Sequence, residues 1–88
     1  MRNWLRALLG KKGPRAHIRN RNTVIYWENG RSMTIAGEML NDGFEIYVAS
    51  IVTWDDGDVQ PIAEAERQRI LSNVKSSLEP QGARIVLN

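Results

Sequence analysis

The chain contains no cysteine among its 88 residues. That excludes disulfides, thiolate nucleophiles and thiolate metal sites, and nothing points to an oxidising compartment. Histidine occurs once, as His17, so no Cys/His metal cluster can be assembled. Long apolar runs are missing too, and none approaches the roughly 18 residues needed to cross a bilayer. Near the N-terminus Arg6 interrupts the apolar residues of 4–9 and no small-residue cleavage site follows. This is not a secretory leader, and a cytoplasmic location is expected. Neither the GxxxxGK(S/T) nor the GxGxxG phosphate-binding pattern is present. Finally, residues 1–21 hold no acid at all.

What is present suits one small globular domain, with 42% hydrophobic and 25% charged residues. A chain this short buries only about 60–65% of the surface its unfolded form exposes, so its stability margin is thin. The net charge of +2 hides a division. Residues 1–21 carry seven bases (Arg2, Arg6, Lys11, Lys12, Arg15, Arg19 and Arg21), giving +7. Residues 22–88 carry five bases against ten acids, giving −5. A basic arm over 1–21 thus precedes a single acidic α+β domain over 22–88.

In the arm, Trp4, Leu5, Leu8 and Leu9 have the spacing of a short amphipathic helix over residues 3–9. Gly10, Gly13 and Pro14 stop it, and no periodicity continues to Asn22, so the stretch reads as mobile. Its bases suit a nucleic-acid or anionic-membrane contact, or simply a solvated tail.

Asn29-Gly30 lies between two strand-like runs and predicts a type I′ hairpin turn. The register then pairs Glu28 with Arg31, Trp27 with Ser32, Tyr26 with Met33, Ile25 with Thr34 and Val24 with Ile35. Val24, Tyr26, Met33 and Ile35 form the core side, while Ile25 and Trp27 lie with Ser32 and Thr34 on the other. Glu28 and Arg31 are expected to form a surface ion pair. Residues 37–43 read as a connection with its turn at Asn41-Asp42-Gly43. Phe44, Ile46 and Val48 alternate with Glu45 and Tyr47 as a strand, and the run continues to Trp54, with a bulge or turn expected near Ala49-Ser50 that makes it either one bent strand or a third and a short fourth. Pro61 introduces the one long helix, whose stripe is Ile70, Leu71, Val74 and Leu78, with Ala63 and Arg67 completing it N-terminally. Glu64 and Glu66 suit its first turn, but no side chain offers a good N-cap. Pro80 and Gly82 end it, and Ala83, Ile85 and Leu87 alternate as a last strand.

The fold class read from these elements is α+β: an antiparallel sheet of one hairpin plus one or two strands, one C-terminal helix on one face, and a final strand. The opposite face, with Ile25, Trp27 and Tyr47, has no evident cover. It is either a partner or homodimer surface, or the site where residues 4–9 lie.

Catalysis finds little support. His17 falls in the arm without a rigid scaffold, and no pair of carboxylates is held at a fixed separation. Asp55-Asp56-Gly57-Asp58 lacks the spacing and the twelfth-position Glu of a calcium loop. No enzyme activity, metal or cofactor is expected. The positive feature is the acid cluster Asp55, Asp56, Asp58, Glu64 and Glu66, with no base between 55 and 66. It serves either as a solubilising loop or as an electrostatic surface for a basic partner. Trp27 and Trp54 are candidate aromatic anchors beside it, Trp54 being equally suited to the core.

The order of motifs resembles a known family. A hydrophobic strand leads into Ser50-Ile51-Val52-Thr53-Trp54-Asp55, then Pro61-Ile62, Glu66-Arg67-Gln68-Arg69-Ile70-Leu71, Leu78, Gly82 and an alternating last strand. With the hairpin over 23–37, this is similar to a small immunity-protein family of bacterial polymorphic toxin systems, the one numbered seventy-four. The likeness covers roughly residues 22–88. It departs at Ala63, where a Ser or Thr cap is expected. The resemblance implies a protein that binds and neutralises a cognate toxin domain, often a nuclease, by occlusion and without chemistry. The alternative is a small nucleic-acid-binding module using the basic arm.

Overall fold

Five strands and one long helix make up residues 13–88, the part of the chain that the computed structural model describes. The strands are β1 (Arg15–Asn20), β2 (Thr23–Glu28), β3 (Arg31–Leu40), β4 (Gly43–Ile46) and β5 (Arg84–Leu87), and the helix is α1 (Glu64–Leu78). They form one sheet in the order β1-β2-β3-β4-β5. The first three pairings are antiparallel. β5 lies parallel to β4, because α1 carries the chain back between them and a crossover returns it in the same direction. The class is α+β with a mostly antiparallel sheet, as the sequence indicates.

The hairpin forms as its turn residues dictate. Asn29 and Gly30 both take positive φ, at 52° and 78°, and the five pairings from Glu28–Arg31 to Val24–Ile35 are those expected. Val24, Tyr26, Met33 and Ile35 are fully buried against α1.

Three expectations need correction. Residues 15–20, read as part of a mobile arm, are the edge strand β1. Ala16 is buried and Ile18 packs on the core, while Arg15 and Arg19 stay exposed. One isoleucine is too little periodicity to stand out, and the strand depends on tertiary partners. Its outer edge is held by α1: Ala16 N–H donates to Ser77 Oγ at 2.8 Å, and Ser77 Oγ donates to Ala16 O at 3.2 Å.

Secondly, residues 37–40 continue β3 rather than opening a connection. Gly37 interrupts the pattern for a steric reason, since a Cβ there would run into the Glu45 backbone and the Phe44 ring. Thirdly, the run 51–54 is not a strand, although the turn expected near Ala49-Ser50 exists as one 3-10 turn over Val48–Ser50. Beyond it the chain follows the free half of β3. Ala36 N–H donates to Ser50 Oγ at 2.9 Å, and Asp55 N–H to Ser32 O at 2.9 Å.

α1 buries Ile70, Leu71, Val74 and Leu78, the stripe expected from spacing, whereas Ala63 is exposed and Arg67 half-buried. Its N-cap, Ala63, makes no side-chain hydrogen bond. Glu64 and Glu66 oppose the positive end of the helix dipole there. Gly82 ends the turn beyond the helix at φ 98°, a conformation that favours glycine. No described helix is long and apolar enough to cross a membrane.

Candidate interaction surface

With α1 on one side of the sheet, the other side is assembled from alternate residues of all five strands. β2 places Ile25 and Trp27 there, and the register sets His17 beside Ile25 and Arg15 beside Trp27. The Arg15 guanidinium stacks over the Trp27 ring, 5.0 Å from its centroid. From β3 come Ser32 and Thr34, opposite Trp27 and Ile25. The Thr34 hydroxyl donates to Asp55 Oδ2 at 2.8 Å, so the loop after residue 54 joins the same face. His17, Arg19, Ile25, Trp27, Ser32, Thr34 and Asp55 line a shallow depression of about 310 Å³.

Further along the same face the charge reverses. Glu38 of β3 stands directly opposite Glu45 of β4. Like charges placed across a strand pair are destabilising. Tyr47 donates its hydroxyl to Glu38 Oε1 at 3.2 Å, and the Asn88 amide donates to Glu45 Oε2 at 2.8 Å. Loss of solvent around the Tyr47 phenol, with the two carboxylates nearby, pushes its pKa above the usual value. Among the described residues no Lys or Arg forms an ion pair with either glutamate.

The acids between 55 and 66 are placed differently from a free electrostatic patch. Arg31 Nε binds Asp56 Oδ2 at 2.7 Å and its Nη2 binds Asp58 Oδ2 at 3.0 Å. Those hydrogen bonds hold the Asp56 carboxyl below its ordinary range. Glu64 pairs with Arg67 at 2.6 Å. Glu66 accepts from Trp54 Nε1 at 3.2 Å and lies 3.8 Å from Arg69. Asp56, Asp58 and Glu66 therefore tie the loop and first helical turn to the body, Glu64 pairs within α1, and Asp55 alone of the five has no cation against it among the described residues. The expected Glu28–Arg31 pair does not form, because each group has other partners. Glu28 accepts from Arg69 Nη2 at 2.6 Å and from the Tyr26 hydroxyl at 2.6 Å.

Of the two candidate aromatic anchors, Trp27 is half-buried on the open face. Trp54 is 5% exposed, 6.1 Å from the Tyr26 ring, with Arg31 stacked 4.6 Å over it. It packs in the core cluster. Of the basic residues assigned to an arm, Arg15 and Arg19 lie in β1 and Arg21 in the turn after it. Arg2, Arg6, Lys11 and Lys12 lie outside the described residues. His17 is likewise on a strand, contrary to its reading as unsupported. Thr34 is two strands away, about 10 Å between backbones. The described body, residues 13–88, holds eight bases and ten acids, a net −2.

Sequence reasoning missed Glu38 and Glu45. A signal existed: a two-residue turn at Asn41-Asp42 pairs 40 with 43 and therefore 38 with 45. Gly37 masks it, because a glycine at that point has the local look of a strand end. Among the described residues, no three His, Cys, Asp or Glu side chains converge as metal ligands would.

Fold and surface together describe a small sheet-and-helix domain whose second, charged sheet face is covered by no helix among the described residues. Residues 19–88 match the family described as Immunity protein 74, and the chain belongs to that family of immunity proteins. No curated protein and no solved structure matches the chain.

Proposed function

We propose that this immunity protein neutralises a cognate toxin domain in the cytoplasm by covering it with the open sheet face, without catalysing any reaction. The observation that carries the proposal is the Glu38–Glu45 opposition. It costs stability in the free protein, and a basic partner group set against both carboxylates would relieve it. Asp55 adds a third charge and Trp27 an aromatic anchor. A basic toxin surface, such as the phosphate-binding groove of a nuclease, has the complementary charge.

The test is binding of the cognate toxin domain to Glu38→Gln/Glu45→Gln and Trp27→Ala variants at several salt concentrations. The double variant is expected to associate more slowly with a weaker salt dependence, and to unfold at slightly higher urea. Trp27→Ala should weaken binding about tenfold or more through faster dissociation. Asp58→Asn, which removes an acid already held by Arg31, serves as the control. Unchanged association in the double variant together with unchanged affinity in Trp27→Ala would overturn the proposal.

A second reading, nucleic-acid binding, draws support from Arg15, Arg19 and Arg21 gathered at one sheet edge. The acids on the same face oppose it. It requires strongly salt-dependent DNA or RNA binding by the full chain, which a titration would reveal directly.

A further inference from the structure

We propose that the sheet face opposite α1 pairs with the same face of a second copy, in a transient dimer whose twofold axis runs along the strands between β2 and β3. Residues 13–88 hold eight bases and ten acids. Five of those bases and seven of those acids form ion pairs with one another. The three bases and three acids without an ion pair among the described residues are Arg15, Arg19, Arg21, Glu38, Glu45 and Asp55. All six lie on this face or at its rim, and they are sorted by sign. At one end the strand partners run Arg15, Trp27, Ser32 across β1, β2 and β3. Asp55 continues that row through its N–H on Ser32 O. At the other end Arg19 belongs to β1, and Arg21 lies in the turn beyond it, where Arg21 O accepts from Met39 N–H at 2.7 Å. Glu38 of β3 and Glu45 of β4 complete that end. Bases thus occupy the β1–β2 half, and acids the half from β3 onward.

A surface divided in this way is complementary to itself. A twofold axis along the strands lays each basic half on the partner's acidic half, whereas an axis across the strands would lay bases on bases. In the first arrangement Arg15 meets the partner's Asp55, Arg21 the partner's Glu38, and Arg19 the partner's Glu45. Arg19 and Glu45 differ by about two residues along the strands, roughly 7 Å, a gap that an arginine side chain spans. Trp27 falls opposite the partner's Ser32, and sheets packed face to face leave about 10 Å between backbones for these contacts. The Glu38–Glu45 opposition is relieved on both copies. Size sets the strength. Four strand widths by six residues make about 20 by 20 Å, on the order of 400 Å² a side, against about 800 Å² in a stable interface. The dimer is therefore weak and opens readily. It covers the surface assigned above to the toxin, so a second copy and the toxin compete. That consequence rests on the proposed function; the self-association does not.

Sedimentation equilibrium of the full chain alone, from about 10 μM to about 1 mM, should show the average mass rising toward two copies, and less so at high salt. Arg19→Glu and Glu45→Lys should each weaken self-association about tenfold or more, since each sets like charges together at two symmetry-related contacts. An equimolar mixture of the two variants should associate as the parent does, because the exchanged charges then attract across the axis. Arg15→Glu and Asp55→Lys repeat the exchange at the other end of the face, and stand in if either of the first variants unfolds. A parent that stays monomeric throughout the range, association indifferent to salt, or mixtures no stronger than the separate variants would overturn the pairing. Adding the toxin domain to the parent should dissolve the dimer. A toxin complex that keeps two copies paired would remove the competition and move the toxin to another surface, with the pairing intact. Failure of the pairing would leave the toxin reading standing.

Discussion

Replacing Tyr26 by Phe removes one oxygen from the middle of the sheet–helix interface and leaves the ring in place. The ring is fully buried. Its hydroxyl donates to Glu28 Oε1 at 2.6 Å and accepts from Asn73 Nδ2 at 2.9 Å, joining β2 to α1. A hydrogen bond to a carboxylate contributes about 1.5–3 kcal/mol. Because Glu28 keeps Arg69 after the substitution, the loss at pH 7 should be near the lower end, about 2 kcal/mol. The same hydroxyl also makes stability depend on alkaline pH. Burial first, and then the bond to Glu28, push its pKa from 10.0 up to about 12. The folded state therefore holds the proton more tightly than the unfolded chain. This contribution is complete below pH 10 and is lost as pH rises from 10 to 12. Two pKa units correspond to about 2.7 kcal/mol, reduced to roughly half by solvent screening at the rim where Glu28 and Arg69 sit. Urea unfolding of both proteins between pH 8 and 11.5 measures the two effects. Tyr47 is common to both and cancels. Tyr26→Phe should start about 2 kcal/mol lower and decline less above pH 10. Stability within about 0.5 kcal/mol of the parent at pH 7, or identical slopes above pH 10, would refute the reasoning.

Ile70→Ala, in the fully buried stripe of α1, should cost about 2–4 kcal/mol, read from the urea midpoint at unchanged slope. Gly43→Ala places a methyl against the Arg84 backbone, so β5 should part from β4 and lose hydrogen-exchange protection, whereas Gly13→Ala meets nothing within 4 Å and should be silent. The Asp42 carboxyl is held below its ordinary range by Arg84, as Asp56 is by Arg31. Their contributions are present above the unfolded carboxylate pKa and are lost as pH falls through the folded values. Asp42→Asn and Asp56→Asn should accordingly flatten the acid limb of a stability–pH profile.

Local chemistry wrote several features directly into the chain. Asn29-Gly30 needs positive φ at two successive residues, and that alone determines which five residue pairs face each other. The stripe Ile70, Leu71, Val74 and Leu78 follows from helical spacing, as does the stop at Gly82. β1 was illegible because Ala16 and Ile18 offer too little apolar contrast, and their strand exists through β2 and Ser77. The end of β3 was hidden for a different reason. Gly37 looks like a breaker locally, yet it is the residue that lets β4 approach.

For the interaction surface the division is sharper. That the protein has an acid-rich stretch, a tryptophan on the hairpin and a basic leader is a property of the residues themselves. Which charges remain unpaired is not, because pairing depends on side chains far apart in sequence. Arg31 reaches Asp56 and Asp58 across about twenty-five positions, and Glu28 reaches Arg69 across forty-one. Those contacts withdraw the obvious acids from the surface and leave Glu38 and Glu45, seven residues apart and opposed across one turn. Composition and spacing determined the fold class, the hairpin register and the helix. Only the tertiary structure decided where the free charge lies, since one folded arrangement chooses among the many pairings that a charged sequence permits.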